Sequence, residues 1–221
     1  MVIFGWMGAY LVANILSGVI ASIANTQSGE EPMWVLGLSA LALWTPFIVL
    51  LALLSTRFGS ASFSVDYAVR FRPSDVLGIP IGVASQLVLV NLVYWPLRAI
   101  FPDTFSSSEI EERARDLYDR ASGGWLIVLV LVVVVGAPLV EELVYRGFIH
   151  GTLRSRLSDG LALLLAAVWF TAVHLTPVEY PGLFAFAVVL GLCFHFTGRL
   201  GLPIVAHMAF NATGLLLVAL S

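Results

Sequence analysis

The chain has 221 residues, of which 59% are hydrophobic and only 11% are charged, and its formal net charge is −3. A soluble domain carries about 25% charged and about 45–50% apolar residues, so an ordinary soluble globule and a disordered chain are both excluded. The negative charge leaves no basic surface for phosphates, and no nucleic-acid partner is expected. The single cysteine, Cys193, excludes a disulfide framework and a cysteine-rich metal site. The composition is that of a polytopic membrane protein.

Seven apolar stretches approach the roughly 20 residues that a spanning helix needs. They cover residues 3–23, 33–54, 76–97, 125–145 with an optional extension to 157, 161–175, 182–197 and 202–220. The fifth and sixth stretches are short and are interrupted by Pro177 and Pro181, so six or eight spans also fit. The sequence therefore predicts an all-α, polytopic membrane helix bundle of about seven transmembrane helices, which forms a single transmembrane domain over residues 1–221.

The connections between the spans predict the orientation. Segment 98–123 contains Ser107-Ser108-Glu109, which is typical of a helix start, and continues as a short solvated or interfacial helix. With seven spans, seven arginines lie on the side of the N-terminus and four on the other side, all of them in segment 98–123. Because arginine-rich loops stay in the cytoplasm, the first side is predicted to be cytoplasmic. The predicted location is a bacterial plasma membrane.

The strongest functional signal is a pair of adjacent glutamates after the apolar run that begins at Trp125. An ionisable residue within a span is costly and points to function. Neighbours on a helix point about 100° apart, so Glu141 and Glu142 face different directions. Glu142 and Arg146 are four residues apart and share a face, so they are expected to pair and to leave Glu141 free. A helix end at the lipid headgroups is the structural alternative.

Two further spans carry polar residues at helical spacing. His174 follows Phe170 by four residues at the end of an apolar helix, where it is either a hydrogen-bonded packing residue or a functional group. His207 and Asn211 are also four residues apart and share one face of the last span. They indicate a shared polar cavity, or alternatively a hydrogen bond between packed helices.

The other two histidines give weaker signals. His150 lies near an arginine-rich helix end, which predicts an interfacial role. His195 ends the sixth span without a polar partner at helical spacing, which predicts packing or snorkelling toward the membrane surface.

The depth of each residue tests whether one cavity can hold all three motifs. At about 1.5 Å per residue, His174 lies about 21 Å from residue 160, and His207 about 9 Å from residue 201. Glu141 is about 8 Å deep if its helix ends at Arg146, and about 20 Å deep if the helix continues to Arg154. The depths agree better with the longer helix. The shallower His207 requires a tilted or unwound start to the last span.

Together these motifs resemble the CAAX-protease and bacteriocin-processing family of intramembrane endopeptidases, also called abortive-infection-like. The family pattern is Glu-Glu-x-x-x-Arg, Phe-x-x-x-His and His-x-x-x-Asn on successive core helices. Here it runs from Glu141-Glu142 to Arg146, from Phe170 to His174 and from His207 to Asn211. The quoted likeness covers about a third of the chain, and the resemblance implies a catalytic core of about residues 125–220.

The resemblance implies hydrolysis of peptide bonds in membrane-associated proteins or peptides. Amide hydrolysis needs an activated water and stabilisation of the oxyanion. In this interpretation Glu141, helped by His174, deprotonates the water, while His207 and Asn211 stabilise the oxyanion. Glu142, Arg146 and Phe170 are supporting residues. The expected partners are a peptide or protein substrate within the membrane and the lipid bilayer itself.

Metal dependence and non-catalytic functions stay open at this stage. Zinc needs three protein ligands, which Glu141, His174 and His207 could supply, but the sequence has no His-Glu-x-x-His motif. A slight preference goes to a metal-free reaction with glutamate-activated water. A bacteriocin-immunity or scaffold protein is the non-enzymatic alternative, and a small transporter is a further one.

Overall fold

In the computed structural model, residues 2–24 and 32–221 are described, and they form nine helices without a strand. The helices are α1 (Val2–Ala24), α2 (Met33–Phe58), α3 (Phe63–Asp66), α4 (Pro73–Ile100), α5 (Ser107–Arg120), α6 (Trp125–Arg154), α7 (Asp159–Ala172), α8 (Pro177–Thr197) and α9 (Gly201–Leu220). The predicted all-α bundle is confirmed.

Six of these helices, α1, α2, α4, α6, α8 and α9, are long and apolar enough to cross a membrane. Their large outward side chains are exposed, as Phe4, Trp95 and Phe196 illustrate. This exposure identifies an integral membrane protein, because lipid is the solvent that such a surface requires. The predicted fifth span is the shorter α7, whose 14 residues extend about 21 Å. The number of full-length spans among the described residues is thus six, which lies within the six to eight that the sequence predicts.

Helix α6 is long and irregular. It runs without a break to Arg154, as the longer sequence interpretation requires, so Glu141 lies about 20 Å from its end. Two stretches, Val130–Gly136 and Glu142–His150, have the wider π-helical turn. Such widened turns often occur at functional sites, since they redirect side chains. The glutamate pair lies where regular helix gives way to the second of these stretches.

Helices α4 and α9 touch along their backbones. A Cβ atom added at Gly82 would come within 2.1 Å of the Ala206 carbonyl oxygen, and one at Gly78 within 2.6 Å of the Ala206 nitrogen. Only glycine permits this close approach. The contact fixes the position of α9 along its axis relative to α4, directly beside His207. Helix α9 is regular from Gly201 onward, so an unwound start to the last span is excluded.

A buried ion pair fastens the start of both helices. Arg199, in the turn before α9, donates to Asp75 at the start of α4 over 2.6 Å. The backbone around this pair is also joined, because Leu200 N donates to Ala68 O (2.9 Å) and Gly201 N to Arg70 O (3.1 Å). The segment before α4 thereby holds the turn between α8 and α9 in place.

The largest apolar core lies around α6 and α7. Ring contacts join Trp6 of α1 to Trp169 of α7 at 5.2 Å, and Tyr145 of α6 to Phe170 of α7 at 5.3 Å. Outside the spans, Tyr67 donates to the Leu51 carbonyl, and its burial raises the pKa of the phenol to about 12. This core packs the part of α6 around Tyr145 against the part of α7 around Phe170.

Candidate active site

A cavity of about 340 Å³ opens between α4, α5, α6, α7, α8 and α9. The four residues predicted to be catalytic, Glu141, His174, His207 and Asn211, all line it, together with Phe170. The structure thus brings three motifs, separated along the chain, to one cavity. Their catalytic roles stay a proposal, which the geometry below supports.

The two glutamates diverge as the helical geometry predicts. Glu142 is completely buried, whereas the side chain of Glu141 is 28% exposed and reaches the cavity. Arg146 Nη1 donates to Glu142 Oε1 over 2.8 Å. The predicted pairing of Glu142 with Arg146 is therefore confirmed, and Glu141 makes no such ion pair with the arginine.

Arg146 is held by groups from three helices. Besides Glu142, its Nη2 donates to the Ala187 carbonyl on α8 over 3.0 Å. Its guanidinium carbon lies 4.7 Å from the centre of the Phe170 ring on α7. The arginine is only 2% exposed, so these contacts replace its lost hydration. Phe170 lines the cavity, whereas Arg146 is not among its lining residues.

His207 connects α9 to both glutamates. Its Nδ1 lies 2.8 Å from Glu142 Oε1, and its Nε2 lies 3.7 Å from Glu141 Oε2. The buried carboxylate fixes the ring, in the way that a carboxylate orients the histidine of a hydrolase triad. The Nε2 atom is then presented toward Glu141 and the cavity. Sequence analysis missed this contact, because nothing in the spacing of two residues on separate helices indicates it.

The tautomer of His174 follows from its hydrogen bond. Its Nδ1 lies 2.7 Å from the Phe170 carbonyl oxygen, which can only accept, so Nδ1 carries the proton. In the neutral ring, Nε2 therefore has a free lone pair. The ring also lies 4.7 Å from that of Phe170, as their shared helix face predicts. His174 is thus suited to accept a proton or a hydrogen bond at Nε2.

Asn211 satisfies a carbonyl that α6 leaves without a partner. Its Nδ2 donates to Val133 O over 2.8 Å. In this π-helical stretch Ala137 N donates to Val132 O, and the next residue, Pro138, has no N–H. The amide of Asn211 supplies the missing donor. One N–H of the same NH₂ group remains for the cavity.

The other two histidines are not among the residues that line the cavity. His150 is completely buried rather than interfacial, because neighbouring helices pack against it, and neither ring nitrogen has a hydrogen-bond partner within residues 2–24 and 32–221. Its ring lies 5.3 Å from that of Phe194. His195 does have a polar partner, since its Nδ1 lies 3.6 Å from Asp159 Oδ2 at the start of α7. That partner is distant in sequence, so helical spacing could not indicate it.

The residues predicted as zinc ligands do not form a three-ligand site. Within residues 2–24 and 32–221, no three His, Cys, Asp or Glu side chains are grouped so that they could hold one ion. Glu141, His174 and His207 share a cavity, but not a coordination geometry.

Four polar cavity residues were not singled out by sequence analysis: Gln86 and Tyr94 on α4, Arg113 on α5 and Glu179 on α8. Tyr94 donates to the Val178 carbonyl over 2.7 Å and holds the start of α8. The remaining lining is mainly apolar, including Ile110, Ala114 and Leu117 of α5. The amphipathic α5 therefore covers the site with its apolar face.

Comparison with known proteins agrees with this site. Residues 123–213 match a family described as type II CAAX prenyl endopeptidase Rce1-like, which indicates a peptidase. No curated protein and no solved structure matches the chain. The matched segment contains all three motifs, from Glu141 to Asn211. The resemblance that these motifs indicated is confirmed over residues 123–213, which are similar to the Rce1-like CAAX endopeptidases.

Proposed function

We propose that this protein is a CAAX-type intramembrane endopeptidase that hydrolyses peptide bonds of membrane-associated proteins or peptides. The observation that carries the proposal is the convergence of Glu141, His174, His207 and Asn211 on one cavity between spanning helices. Ionisable groups at such depth are costly, and their grouping around a space is typical of a reaction site.

The proposed base is Glu141. Its carboxylate is the accessible member of the glutamate pair, and it faces the cavity near His207 Nε2. A water between the Glu141 carboxylate and the lone pair of His174 Nε2 would have an acceptor for each of its protons. Glu141 takes one proton as the water oxygen forms its bond to the substrate carbonyl carbon.

The proposed oxyanion donors are His207 and Asn211. Glu142 accepts the Nδ1 proton of His207, and with a proton on Nε2 as well, the ring donates from Nε2–H to the oxyanion in the cavity. Asn211 contributes its second N–H, because Val133 O holds the first. These donors are fixed before the substrate arrives, which is the condition for strong stabilisation of developing charge.

The last step of the proposed reaction also uses Glu141. The tetrahedral intermediate collapses, the C–N bond breaks, and Glu141 returns its proton to the leaving amine. The Arg146–Glu142 pair does not exchange protons in this scheme; it holds α6, α8 and the His207 ring in register. The arginine-rich connections favour an orientation in a bacterial plasma membrane with the segment before α4 and the turn between α8 and α9 in the cytoplasm. The sequence predicts a cavity mouth on that cytoplasmic side, but α5, which lines the cavity, lies on the opposite side in this orientation.

The test is cleavage of a library of farnesylated and unmodified peptides by the purified protein in detergent, read by mass spectrometry. Wild type and Glu112→Ala, which alters an exposed glutamate of α5, are expected to cleave the same peptides. Glu141→Ala is expected to cleave none. Failure of the wild type to cleave any peptide, or equal cleavage by Glu141→Ala, would favour the immunity, scaffold or transport alternatives.

A further inference from the structure

A neutral amide on α4 faces the same cavity and has no role in the scheme above. Gln86 lies in Ser85–Leu89, the π-helical stretch of α4, and lines the cavity. Its side chain makes no hydrogen bond to the part of the chain that the structure describes. A polar side chain in a spanning helix is costly unless it has a partner. Gln86 is therefore available for a group that enters the cavity.

The position of Gln86 relative to α9 places it beside the proposed oxyanion donor. A Cβ atom at Gly214 would lie 3.5 Å from Gln86 Nε2 and 3.9 Å from Oε1. Gly214 follows Asn211 by three residues, so both face the same side of α9, and both line the cavity. The small glycine leaves the carboxamide of Gln86 room next to Asn211.

Another side-chain amide on α4 has a hydrogen-bond partner within its own helix, unlike the amide of Gln86. Asn91, five residues later, is exposed and donates from Nδ2 to the Leu87 carbonyl over 3.0 Å. Its amide is thus satisfied by its own helix. The amide of Gln86 has instead been left open toward the cavity.

We propose that Gln86 binds the backbone of the substrate, through the peptide unit next to the one that is cleaved. A carboxamide offers N–H donors and a C=O acceptor, which match the C=O and N–H of one peptide unit. It carries no charge, so it selects the backbone rather than a charged side chain. This inference rests on the proposed peptidase function and names a binding residue for it.

The first experiment compares Gln86→Leu with Asn91→Leu, which removes an amide from the same helix outside the cavity. Gln86→Leu is expected to raise KM about three- to tenfold with kcat within about twofold, the effect of losing a hydrogen bond made equally in ground and transition states. Asn91→Leu is expected to leave both constants unchanged.

The second experiment locates the bound peptide unit. In the best-cleaved peptide, each amide is replaced in turn by an ester, which removes its N–H. At one position next to the cleaved bond, the ester should weaken binding in the wild type but not in Gln86→Leu, because the two changes remove the same contact. Wild-type KM in Gln86→Leu, or additive ester effects at every position, would overturn the inference.

Failure of this inference is distinguishable from failure of the proposed function. If the wild type cleaves peptides and Gln86→Leu has normal constants, only the role of Gln86 is wrong. If the wild type cleaves none, binding of the library peptides to the wild type and to Gln86→Leu is measured instead. Weaker binding to Gln86→Leu would then still support a backbone-binding role, whereas equal binding or none would overturn it.

Discussion

His207 and Glu142 are joined by a buried hydrogen bond of 2.8 Å, although they are 65 residues apart and belong to different helices. The same carboxylate oxygen, Oε1, accepts from Arg146. The other oxygen, Oε2, is buried and has no partner among the described residues. Glu142 is thus the point at which α6 and α9 are fixed to one another, and this contact determines where His207 Nε2 points.

Glu142→Gln is expected to cause a large loss of stability. The amide keeps the shape but leaves the cation of Arg146 without its buried counter-charge, and breaking such a pair costs about 3–5 kcal/mol. Thermal unfolding in detergent measures this loss. Asp116→Asn, which breaks the exposed Arg120–Asp116 pair (2.8 Å), is the control and should change stability by less than about 1 kcal/mol. Equal unfolding temperatures for both variants would contradict the role of Glu142.

Glu141→Gln is expected to abolish peptide hydrolysis while the fold is retained. The side chain is partly exposed in the cavity and carries no ion pair to Arg146, so its charge contributes little to packing. Loss of a general base lowers the rate by about 10²–10⁴-fold. Turnover and unfolding temperature are measured on the same preparation. Retained full activity would show that Glu141 is not the base.

The hydrogen bond from Asn211 to Val133 O predicts a coupling with Pro138. Asn211→Leu should destabilise the protein by about 1 kcal/mol, because a partly buried carbonyl loses its donor. In a Pro138→Ala background, the restored N–H of residue 138 can supply that donor from within α6. The cost of Asn211→Leu should then be smaller. Additive effects in this double-mutant cycle would mean that Pro138 is not the reason for the contact.

The backbone contact between α4 and α9 predicts that Gly82→Ala is severe. The new Cβ atom would meet the Ala206 carbonyl at 2.1 Å, so the helices must separate and His207 must move. Overpacking of this kind costs about 1–3 kcal/mol, and activity should fall as well. Gly18→Ala on α1 is the control, since nothing lies within 4 Å of the added atom. Normal activity in Gly82→Ala would show that this contact does not position the site.

Hydrolysis is expected without stoichiometric zinc. Over the described ranges, no three potential ligands are grouped around one point, and Glu142 already holds one nitrogen of His207. Metal analysis of active protein should find well below one zinc per chain, and a chelator should leave the rate nearly unchanged. Activity lost on zinc removal and restored on its return would require a rearrangement that brings Glu141, His174 and His207 together.

Much of the fold could be predicted because lipid imposes simple rules on sequence. Long apolar runs must form helices in a bilayer, because a helix pairs the N–H and C=O groups of its own backbone. Apart from a closed barrel, no other structure does so in lipid. Helical periodicity also fixed the pairs Glu142–Arg146 and Phe170–His174, because residues four positions apart share a face in any helix. The structure agrees with both pairs. These relationships are local, so one sequence is enough to predict them.

The tertiary structure alone decided which helix faces meet. The contact of Glu142 with His207, the closure of Val133 O by Asn211 and the place of Gln86 beside Gly214 all join separate helices. The burial of His150 also depended on packing, because its own helix leaves the surroundings of that face undetermined. Periodicity gives the direction of a side chain relative to its own helix axis. It does not give the rotation of one helix against another, which follows from close packing, such as the approach of α4 to α9 at Gly82.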